Sequence, residues 1–405
     1  MIEYIPLILF ALVFILILFG YPVALVLGGI SVVSGLLFFD MDFFYLVSLR
    51  IFGIMNNFVL LAVPLFIFMG MTLEKSGIAE KLLETMAILF GKIRGGLAYS
   101  VIIVGGMLAA STGIVGATVV TMGLISLPIM IKRGYNKKLA TGIIASSGTL
   151  GQIIPPSVVL VLLGSVLNIS VGDLFTSALL PGLTLVILYL IYVLIISILY
   201  PEFAPSMPTK LIKKFKKETG IVEIIKAFLL PFVLIFAVLG SIFAGIASPT
   251  EAAGIGALGA LILSYFQANM NLKKLKIIME ETTSLTSIVF MILIGATSFS
   301  LVFRGLEGDK ILINIITQAD LTPELFIVLI LFIVFIAGFF IDFIEIIFII
   351  VPVITPILIA LNIDLIWIGI LLAINLQTSF LTPPFGFALF YLKSVAPKEI
   401  RTRDI

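Results

Sequence analysis

Two clusters of small polar residues contain the side chains of this sequence that are best suited to bind an ion. The first cluster comprises Ser146, Ser147, Gly148, Thr149, Gly151 and Gln152, and Pro155-Pro156 follows it. The second comprises Asn375, Gln377, Thr378, Ser379 and Thr382, and Pro383-Pro384 follows it. Hydroxyl oxygens, and the carbonyl oxygens that an interrupted helix frees, are ligands that Na⁺ accepts in transporters. The alternative for either cluster alone is close helix packing, which small residues allow.

The two clusters lie at equivalent positions of an internal repeat. The residue numbers of Pro155 and Pro383 differ by 383 − 155 = 228, and we call this difference the repeat offset. At the repeat offset, residues 109–166 align with 337–394 without a gap. Each half therefore ends in an apolar segment that polar residues and a Pro-Pro pair interrupt. Paired interruptions at corresponding places of two halves indicate the binding site of a transporter, and they make packing the weaker explanation.

A second pair of interruptions precedes the clusters. The apolar stretches 97–131 and 324–360 are too long for one membrane helix. Their middles contain Ser111, Thr112, Gly113 and Thr118 in the first stretch, and Phe339–Glu345 in the second. We expect two re-entrant hairpins, because irregular backbone at membrane depth must line a cavity or be buried in protein. Their half-helix N-termini present positive dipole ends that suit a substrate carboxylate.

Three acidic residues in apolar surroundings have two explanations each. Asp342 and Glu345 lie in the second predicted hairpin, and an acid at membrane depth is a functional candidate because its burial is costly. The alternative is that this hairpin tip lies in water, which solvates both carboxylates. Glu251, in the sequence SPTEAAG, is either functional or a cap of the helix that starts at Ser248.

The composition assigns the chain to membrane proteins and excludes several chemistries. Of 405 residues, 61% are hydrophobic and 11% charged, against about 45–50% and about 25% in soluble domains. Without cysteine or histidine, the chain has no disulfide, thiol nucleophile, histidine base or Cys/His metal site. An intramembrane enzyme is a remote alternative, because the acids Asp342 and Glu345 have no histidine or cysteine to act with them. No nucleotide-binding glycine motif occurs, so an ion gradient or another subunit must supply the energy.

We predict an all-α polytopic membrane protein made of two inverted repeats, with two re-entrant hairpins and two broken helices. The predicted elements are 4–20, 22–39, 54–73, an amphipathic arm 76–93, the hairpin 97–131, the broken span 138–166, 173–200, then 223–246, 248–266, 283–303, a second arm 306–319, the hairpin 324–360 and the broken span 365–392. We interpret 4–20 as a retained helix, because it lacks the basic start and cleavage site of a signal peptide.

The distribution of Lys and Arg orients these spans. With the Lys-rich loop 201–221 in the cytoplasm, only Arg50, Arg304 and Lys310 of the 24 Lys and Arg residues lie outside. The N-terminus is then outside and the C-terminus inside. Five crossings separate the start of one repeat from the start of the next. Because five is odd, the repeats are inverted, and the two hairpin tips should meet near the midplane.

The predicted domains follow from these elements. The boundaries are 1–74 and 223–305 for scaffold helices, 75–96 and 306–323 for the two arms, 97–166 and 324–395 for the hairpins and broken helices of a transport domain, 167–222 for a linking helix and cytoplasmic loop, and 396–405 for a cytoplasmic tail.

Long segments across essentially the whole chain resemble one known family. They are GYPVALVLGG, VPLFIFMGMTLEKSGIAE, SSGTLGQIIPPS, SPTEAAGIGA and TPPFGFALFYLK, and they are similar to the large membrane subunit of TRAP transporters, the DctM-type permease. The resemblance implies an elevator-type, Na⁺-coupled importer in the cytoplasmic (inner) membrane of a bacterium or archaeon, with no cofactor beyond the coupling ion. It also implies two partners, a separate small membrane subunit (DctQ-type) and a periplasmic substrate-binding protein (DctP-type), and no nucleic acid.

The resemblance also implies a binding site at the hairpin tips and broken helices. The implied Na⁺ ligands are Ser111, Gly113, Ser147, Thr149, Thr378 and Thr382. Together with the candidates argued above from the residues themselves, the predicted substrate and ion site also includes Thr112, Gly148, Pro155, Asp342, Glu345, Ser379 and Pro383. The segments LAASTGIVGAT and VGDLF look like the branch for 2-oxo acids and other monocarboxylates, so the expected substrate is a small organic acid, a 2-oxo acid or C4-dicarboxylate. The alternative is a stand-alone anion symporter or cation antiporter of the same superfamily.

Overall fold

The computed structural model describes residues 4–208, 212, 221–267, 270–319 and 321–405, without the side chains of Ser111, Thr112, 221–225 and 227. All regular secondary structure in these residues is helical. The α-helices are α1 (Ile5–Leu18), α2 (Val23–Phe38), α3 (Asp42–Met55), α4 (Ala62–Lys75), α5 (Ile78–Leu89), α6 (Gly96–Thr112), α7 (Val115–Lys132), α8 (Lys137–Thr149), α9 (Val158–Leu167), α10 (Val171–Leu199), α11 (Ile221–Phe243), α12 (Pro249–Gln267), α13 (Leu272–Gly305), α14 (Gly308–Gln318), α15 (Pro323–Ala337), α16 (Phe343–Ala360), α17 (Leu365–Phe380) and α18 (Phe387–Val395). Short 3₁₀ turns occupy Phe58–Leu61, Leu150–Gln152 and Thr402–Asp404. Most of the predicted Lys-rich loop, 209–211 and 213–220, lies outside the described residues.

Apolar helices of membrane-spanning length confirm the membrane class. Among the described residues, five segments are long and apolar enough to cross a bilayer, Phe58–Lys75, Val115–Lys132, Val171–Leu199, Leu272–Gly305 and Phe343–Ala360. Further apolar helices have 10–17 residues. The surfaces of these segments differ. Only 17% of the most apolar part of α10 is buried, against 67% for α16, so α10 presents its side chains outward while α16 belongs to the core.

The helix boundaries of the second half repeat those of the first at the repeat offset. The first residues of α7 and α16 differ in number by exactly this offset, and so do their last residues. The starts of α8 and α17 have the same spacing, and the starts of α9 and α18 depart from it by a single position. The internal repeat of the sequence is therefore a repeat of secondary structure as well.

The same local signals end and start these helices in both halves. Gly134 and Asn362, which the repeat offset aligns, follow α7 and α16 in the left-handed conformation, with φ of 82° and 53°. Glycine and asparagine are the residues that adopt it at least cost. Asn136 and Asp364, which the offset also aligns, are the N-caps of α8 and α17. Each side chain accepts from backbone N–H groups of its own first turn.

All four predicted interruptions are present. The helices α6 and α7 separate at Gly113–Ile114, and α15 and α16 separate over 338–342. The broken spans divide over 150–157 and 381–386. Both Pro-Pro pairs, Pro155-Pro156 and Pro383-Pro384, have cis peptide bonds. The breaks themselves are thus confirmed, while the re-entrant path of the hairpins through the membrane stays a prediction.

Two predicted extents were wrong. Residues 40–53, which no predicted span includes, lie almost entirely in α3, and the span predicted at 54–73 starts with a 3₁₀ turn at Phe58. The helix α3 has 14 residues, fewer than the roughly 20 of a membrane span, so a search for spans misses it. The span predicted at 283–303 is only part of α13, which is continuous over 34 residues, because lysine and glutamate are good helix formers and extend the helix before its apolar part. In the first half, the helix is interrupted at the position that corresponds to the middle of α13. There Asn57 caps a new 3₁₀ turn, because its side chain accepts from the Val59 N–H.

The two halves pack against each other through α9. Its residues from Val158 to Leu163 are almost completely buried, and the helix contacts α16 and α17 of the second half as well as α4 and α10. The helix α7 packs on α18 in the complementary way. The four interruptions directly precede α7, α9, α16 and α18, and the packing of these helices therefore brings all four interruptions into one core.

Candidate functional site

The first tip, between α6 and α7, lies against the start of α9. Gly113 has φ of 62°, and a Cβ there would lie 2.6 Å from Val158 Cγ2 and 2.8 Å from the Val158 backbone nitrogen. Glycine is required both by the conformation and by this close approach. Gly113 thus joins the first tip to the break that follows α8. The side chains of Ser111 and Thr112 lie outside the described residues.

Hydrogen bonds between polar groups of the first break connect its two ends. The helix α8 ends at Thr149, a 3₁₀ turn extends to Gln152, and Ser157 caps α9. The Ser157 hydroxyl donates to the Gln152 carbonyl at 3.0 Å and accepts from the Leu160 N–H at 3.4 Å. This hydroxyl connects the two ends of the interruption, on either side of Pro155, and fixes the geometry of the break.

The predicted ligands on α8 are fully buried hydroxyls. Ser147 Oγ donates to the Ile144 carbonyl at 3.1 Å, and Thr149 Oγ1 donates to the Ser146 carbonyl at 2.9 Å. A hydroxyl that donates its proton keeps its lone pairs, so both oxygens can accept a cation. Gly148 lies between them, against Val119 of α7, with no room for a Cβ. The same arrangement also packs α8 tightly, which was the alternative explanation.

Gln152 is the side chain that distinguishes the two explanations. It is fully buried, and neither its amide nitrogen nor its amide oxygen has a hydrogen-bond partner among the described residues. A buried amide left unpaired costs about 1–3 kcal/mol. In native proteins such a group points to a missing water or ion. Gln152 belongs to the first polar cluster of the sequence, but the narrower set of predicted ligands omitted it.

The second tip has a local role for both of its acids. Asp342 is the N-cap of α16, and its carboxylate accepts from the Phe343 N–H at 2.7 Å. Glu345 Oε2 accepts from the Asp342 N–H at 3.2 Å, which completes a capping box. Both side chains are partly buried. The acids are therefore hydrogen-bonded to their own helix start, and a role toward a ligand stays a prediction.

The second break is more open than the first. Ser379 is fully buried against Gly338 of the second tip, where a Cβ has no room. Thr378 is exposed and donates to the Ile374 carbonyl of its own helix, whereas Thr382 is partly buried in the break and donates back to the Thr378 carbonyl of α17. Pro383 and Pro384 are exposed. The two predicted ligand sets therefore differ in accessibility, although their residue types match.

The two tips line one cavity of about 550 Å³, which we call the tip cavity. From the tips come Ile114, Val115, Gly116, Asp342, Phe343 and Ile344. Glu74 and Lys75 of α4, and Glu281 of α13, line the opposite wall. Lys75 forms an ion pair with Glu281 at 3.1 Å. Val158, at the start of α9, also lines the cavity, whereas the hydroxyls of Thr149, Thr378 and Thr382 are not among the described groups that line it.

The groups at the tips and breaks are suited to ligand binding. No group of three or more Asp and Glu residues that could hold a metal ion occurs in the part of the chain that the structure describes. What the core offers instead is interrupted helices, buried hydroxyls and an unpaired amide. These groups can bind and release small ligands without chemistry.

Comparison with known proteins decides the family. Residues 10–403 match the family model of the "Tripartite ATP-independent periplasmic transporter, DctM component". The chain belongs to this family of transporter permeases. It is therefore a multi-pass membrane protein and not an enzyme.

Individual relatives agree with this assignment. The chain is 31% identical to the C4-dicarboxylate TRAP transporter large permease protein DctM of Pseudomonas aeruginosa, over 91% of this chain and 84% of the relative. It is 28% identical to the sialic acid TRAP transporter large permease protein SiaM of Vibrio cholerae, over 96% and 91%. Among solved structures, the YdaH transporter of Alcanivorax borkumensis has a TM-score of 0.60 at 16% identity, covering 99% of this chain and 93% of that one. This last likeness concerns the fold alone.

Proposed function

We propose that this DctM-family permease imports a small organic acid together with Na⁺, and that the first break is an ion site. The observation that carries the proposal is the fully buried, unpaired amide of Gln152, one short turn beyond the buried hydroxyl of Thr149. An amide oxygen and hydroxyl oxygens suit a hard monovalent cation. Each Na⁺ that moves inward through 100 mV supplies about 2.3 kcal/mol, which is the driving force the chain itself lacks.

A second ion site is proposed at the second break, with Thr378 and Thr382 as its hydroxyl ligands. Gln377 supports it, because its amide oxygen is buried without a partner among the described residues while its amide nitrogen donates to the Tyr189 hydroxyl at 3.2 Å. The greater exposure of Thr378 makes this second site accessible, whereas the first is enclosed.

A carboxylate is the substrate class that the comparisons favour. The names of the two relatives given above specify C4-dicarboxylates and sialic acid, and both are carboxylic acids. The half-helix N-terminus at Val115 lines the tip cavity, and its positive dipole end favours an anion. The half-helix N-terminus at Phe343 lines the same cavity and is capped by Asp342 and Glu345. We infer that the substrate carboxylate lies between the two tips. The sequence motifs favour a 2-oxo acid or another monocarboxylate within this class.

The mechanism proposed is an elevator, in which a transport domain of 97–166 and 324–395 moves against scaffold helices of 1–74 and 223–305. Within the described part of the chain, few polar contacts join the two parts. Thr121 on α7 donates to Glu74 on α4, Asn57 donates to Ser165 at 3.2 Å, and Arg304 donates to the Pro352 carbonyl at 3.5 Å. An interface with so few hydrogen bonds suits sliding, because little enthalpy is lost when it shifts.

The proposed complex contains two further proteins. A separate small membrane subunit of the DctQ type would pack on the scaffold helices, and a soluble binding protein of the DctP type would deliver the substrate. The N-terminus would face the periplasm and the C-terminus the cytoplasm, in the inner membrane of a bacterium or archaeon. The second candidate function is a stand-alone Na⁺-coupled symporter or an antiporter, in which the chain needs no binding protein.

Na⁺ binding can be tested without knowledge of the substrate. The unfolding temperature of the purified chain in detergent is measured while NaCl replaces choline chloride at constant ionic strength. We expect a saturable rise with Na⁺, because a ligand that binds only the folded state stabilises it. Gln152→Met keeps the shape of the side chain and should abolish the rise. Gln318→Met, at an exposed position of α14, is the matched control and should keep it. An identical response to both salts in the unmutated chain would remove the ion site.

Uptake into proteoliposomes then separates the two candidate functions. Radiolabelled succinate or pyruvate is supplied with and without an inward Na⁺ gradient, and with and without the proteins that co-purify with the chain from its native membrane and periplasm. The tripartite function requires Na⁺ and all three proteins. Full Na⁺-driven uptake by the chain alone favours the stand-alone symporter.

A further inference from the structure

A second cavity, separate from the tip cavity, is lined by two arginines and by none of the described acids. We call it the arginine cavity, and its volume is about 500 Å³. The polar residues that line it are Arg50, Asn57, Ser165, Asn168, Thr297, Ser300 and Arg304. Its walls come from α3, the 3₁₀ turn after it and α13 on one side, and from α9 and α16 on the other. It therefore lies across the interface that the elevator proposal identifies as the sliding surface.

The two guanidinium groups are not neutralised within the described part of the chain. Neither Arg50 nor Arg304 forms an ion pair with a described acid. Arg304 makes one long hydrogen bond, at 3.5 Å, to the Pro352 carbonyl. Arginine remains charged at any physiological pH and binds carboxylates through paired N–H donors. Two unpaired arginines in one cavity thus produce a positive potential that attracts an anion.

The neutral groups of the cavity are mainly hydrogen-bond donors and adaptable hydroxyls. Asn57 and Ser165 are hydrogen-bonded to each other across the interface, and Thr297 and Ser300 are partly buried on one face of α13. Such groups orient an organic acid that arginines hold by its charge. The volume of the cavity lies within the range, roughly 300–1,000 Å³, of sites for small organic ligands.

The arginine cavity and the tip cavity follow one another along α13: the middle of the helix, up to Val289, lines the tip cavity, and its last part, from Leu293 to Arg304, lines the arginine cavity. Ser300 lines the arginine cavity and Ile288 the tip cavity. Twelve residues of helix correspond to about 18 Å. Their charges differ: Glu74, Glu281 and Asp342 line the tip cavity with a single Lys75. Long-range attraction of an anion therefore operates at the arginine end.

From these observations we infer that the arginine cavity is an outer waiting site for the substrate, which holds a small carboxylate through Arg50 and Arg304 before it reaches the tips. The inference rests on the proposed import of an organic acid. Both arginines belong to the few basic residues that charge counting assigns to the outer face. A carboxylate that arrives there is positioned beside α9 and α16, the two helices that start directly after the first break and the second tip.

Thiol labelling tests the site without any transport measurement. The chain has no cysteine, so Ser300→Cys introduces the single thiol of the protein into the cavity. Right-side-out vesicles are treated with the membrane-impermeant anionic sulfonatoethyl methanethiosulfonate, or with the cationic trimethylammonioethyl reagent. We expect the anionic reagent to be favoured, and the ratio of the two rates to fall about tenfold when Arg50→Gln and Arg304→Gln are added. Arg50→Lys with Arg304→Lys keeps both charges and should largely keep the ratio. This pair of variants also controls for disturbed folding.

Protection by a carboxylate is the second measurement. Millimolar succinate or pyruvate should slow the anionic labelling of Ser300→Cys, while chloride at the same ionic strength should not, because a spherical ion cannot accept the paired N–H donors of arginine. Ile288→Cys, in the tip cavity, should not be labelled from outside. The inference is overturned by a ratio that does not depend on the arginines, by protection from neither acid, by equal protection from chloride, or by a Ser300→Cys thiol that is closed to outside reagents. Since labelling needs neither Na⁺ nor a binding protein, failure here leaves the proposed transport intact, and failure of Na⁺-driven uptake leaves the labelling result intact.

Discussion

The Thr121 hydroxyl donates a hydrogen bond to the carboxylate of Glu74, and this contact joins α7 to α4. The other carboxylate oxygen of Glu74 is buried and has no partner among the described residues. In the elevator proposal these two helices belong to different domains. The bond therefore stabilises the conformation seen here relative to any in which the domains have shifted.

We expect Thr121→Val to shift the protein away from this conformation. A hydrogen bond to a charged group is worth about 1.5–3 kcal/mol, which corresponds to a population change of roughly tenfold or more. The change is measured through the labelling rate of Ala117→Cys, which lines the tip cavity, with an impermeant reagent in inside-out vesicles. The rate should fall in the Thr121→Val background. Thr184→Val, an exposed position on α10 whose hydroxyl bonds its own helix, is the control. Equal rates in all three backgrounds would show that the contact does not hold the domains.

Substitution of a buried ligand hydroxyl should weaken Na⁺ activation. Thr149→Val and Thr382→Val each keep the shape of the side chain and remove one oxygen. The expected loss is about 1–3 kcal/mol in Na⁺ binding, or roughly 5- to 150-fold in the Na⁺ concentration for half-maximal uptake. The enclosed position of Thr149 predicts the larger effect of the two. Unchanged Na⁺ activation in both variants would remove these residues from the site.

Gly113→Ala should destabilise the protein through the first tip. An alanine with positive φ costs about 1–2 kcal/mol, and the contact with Val158 adds an overpacking cost of about 1–3 kcal/mol. Thermal unfolding of the purified chain in detergent should show a clear decrease in Tm. Gly240→Ala, in α11 where a Cβ meets no atom within 4 Å, should leave Tm unchanged or raise it. A Gly113→Ala variant as stable as the control would contradict the close packing of the tip on α9.

Two substitutions of Asp342, at the second tip, can separate a role in capping α16 from a role in binding a ligand. Asp342→Asn keeps the N-cap function, whereas Asp342→Ala removes it at a cost of about 0.5–2 kcal/mol. We therefore expect a lower Tm for Asp342→Ala than for Asp342→Asn. Uptake measured on the same two variants reports the other role. Transport by Asp342→Asn at the level of the unmutated chain means that the charge serves the helix start alone, and loss of transport at unchanged Tm assigns the charge to the ligand.

Much of the fold could be predicted because its signals are local. The Pro-Pro pairs remove two successive backbone donors and interrupt a helix, so the breaks near Pro155 and Pro383 follow from the residues themselves. The break at Gly113 follows from a glycine among polar residues in the middle of a stretch too long for one membrane helix. The repeat then doubles each signal, since an ambiguous boundary in one half has a counterpart in the other. Gly134 and Asn362 illustrate this: asparagine alone is a weak sign of a helix end, but its alignment with a glycine makes it a strong one.

The parts that were missed depend on tertiary packing or on polar helices. The prediction of spans followed apolar runs of membrane length, whereas α3 has only 14 residues and the start of α13 carries several charges. The difference in exposure between Thr149 and Thr378 has no trace in their sequence context, because it depends on what α7, α9 and α16 cover. The isolation of Gln152 is of the same kind. Its membership of a polar cluster was visible, but the absence of a partner appears only when the surrounding helices are in place.

The uninterrupted length of α13 has a mechanical consequence. Its 34 residues extend for about 51 Å, while the hydrocarbon layer is about 30 Å thick. In the proposed orientation its first turns, with Lys273, Lys274 and Lys276, stand among the lipid headgroups of the cytoplasmic leaflet. A helix whose first turns carry these lysines is costly to shift inward, because the charges would have to enter the hydrocarbon layer. In the elevator proposal we therefore expect α13 to stay fixed, and the distance between the two cavities along it, not the thickness of the lipid, to determine how far the moving helices shift.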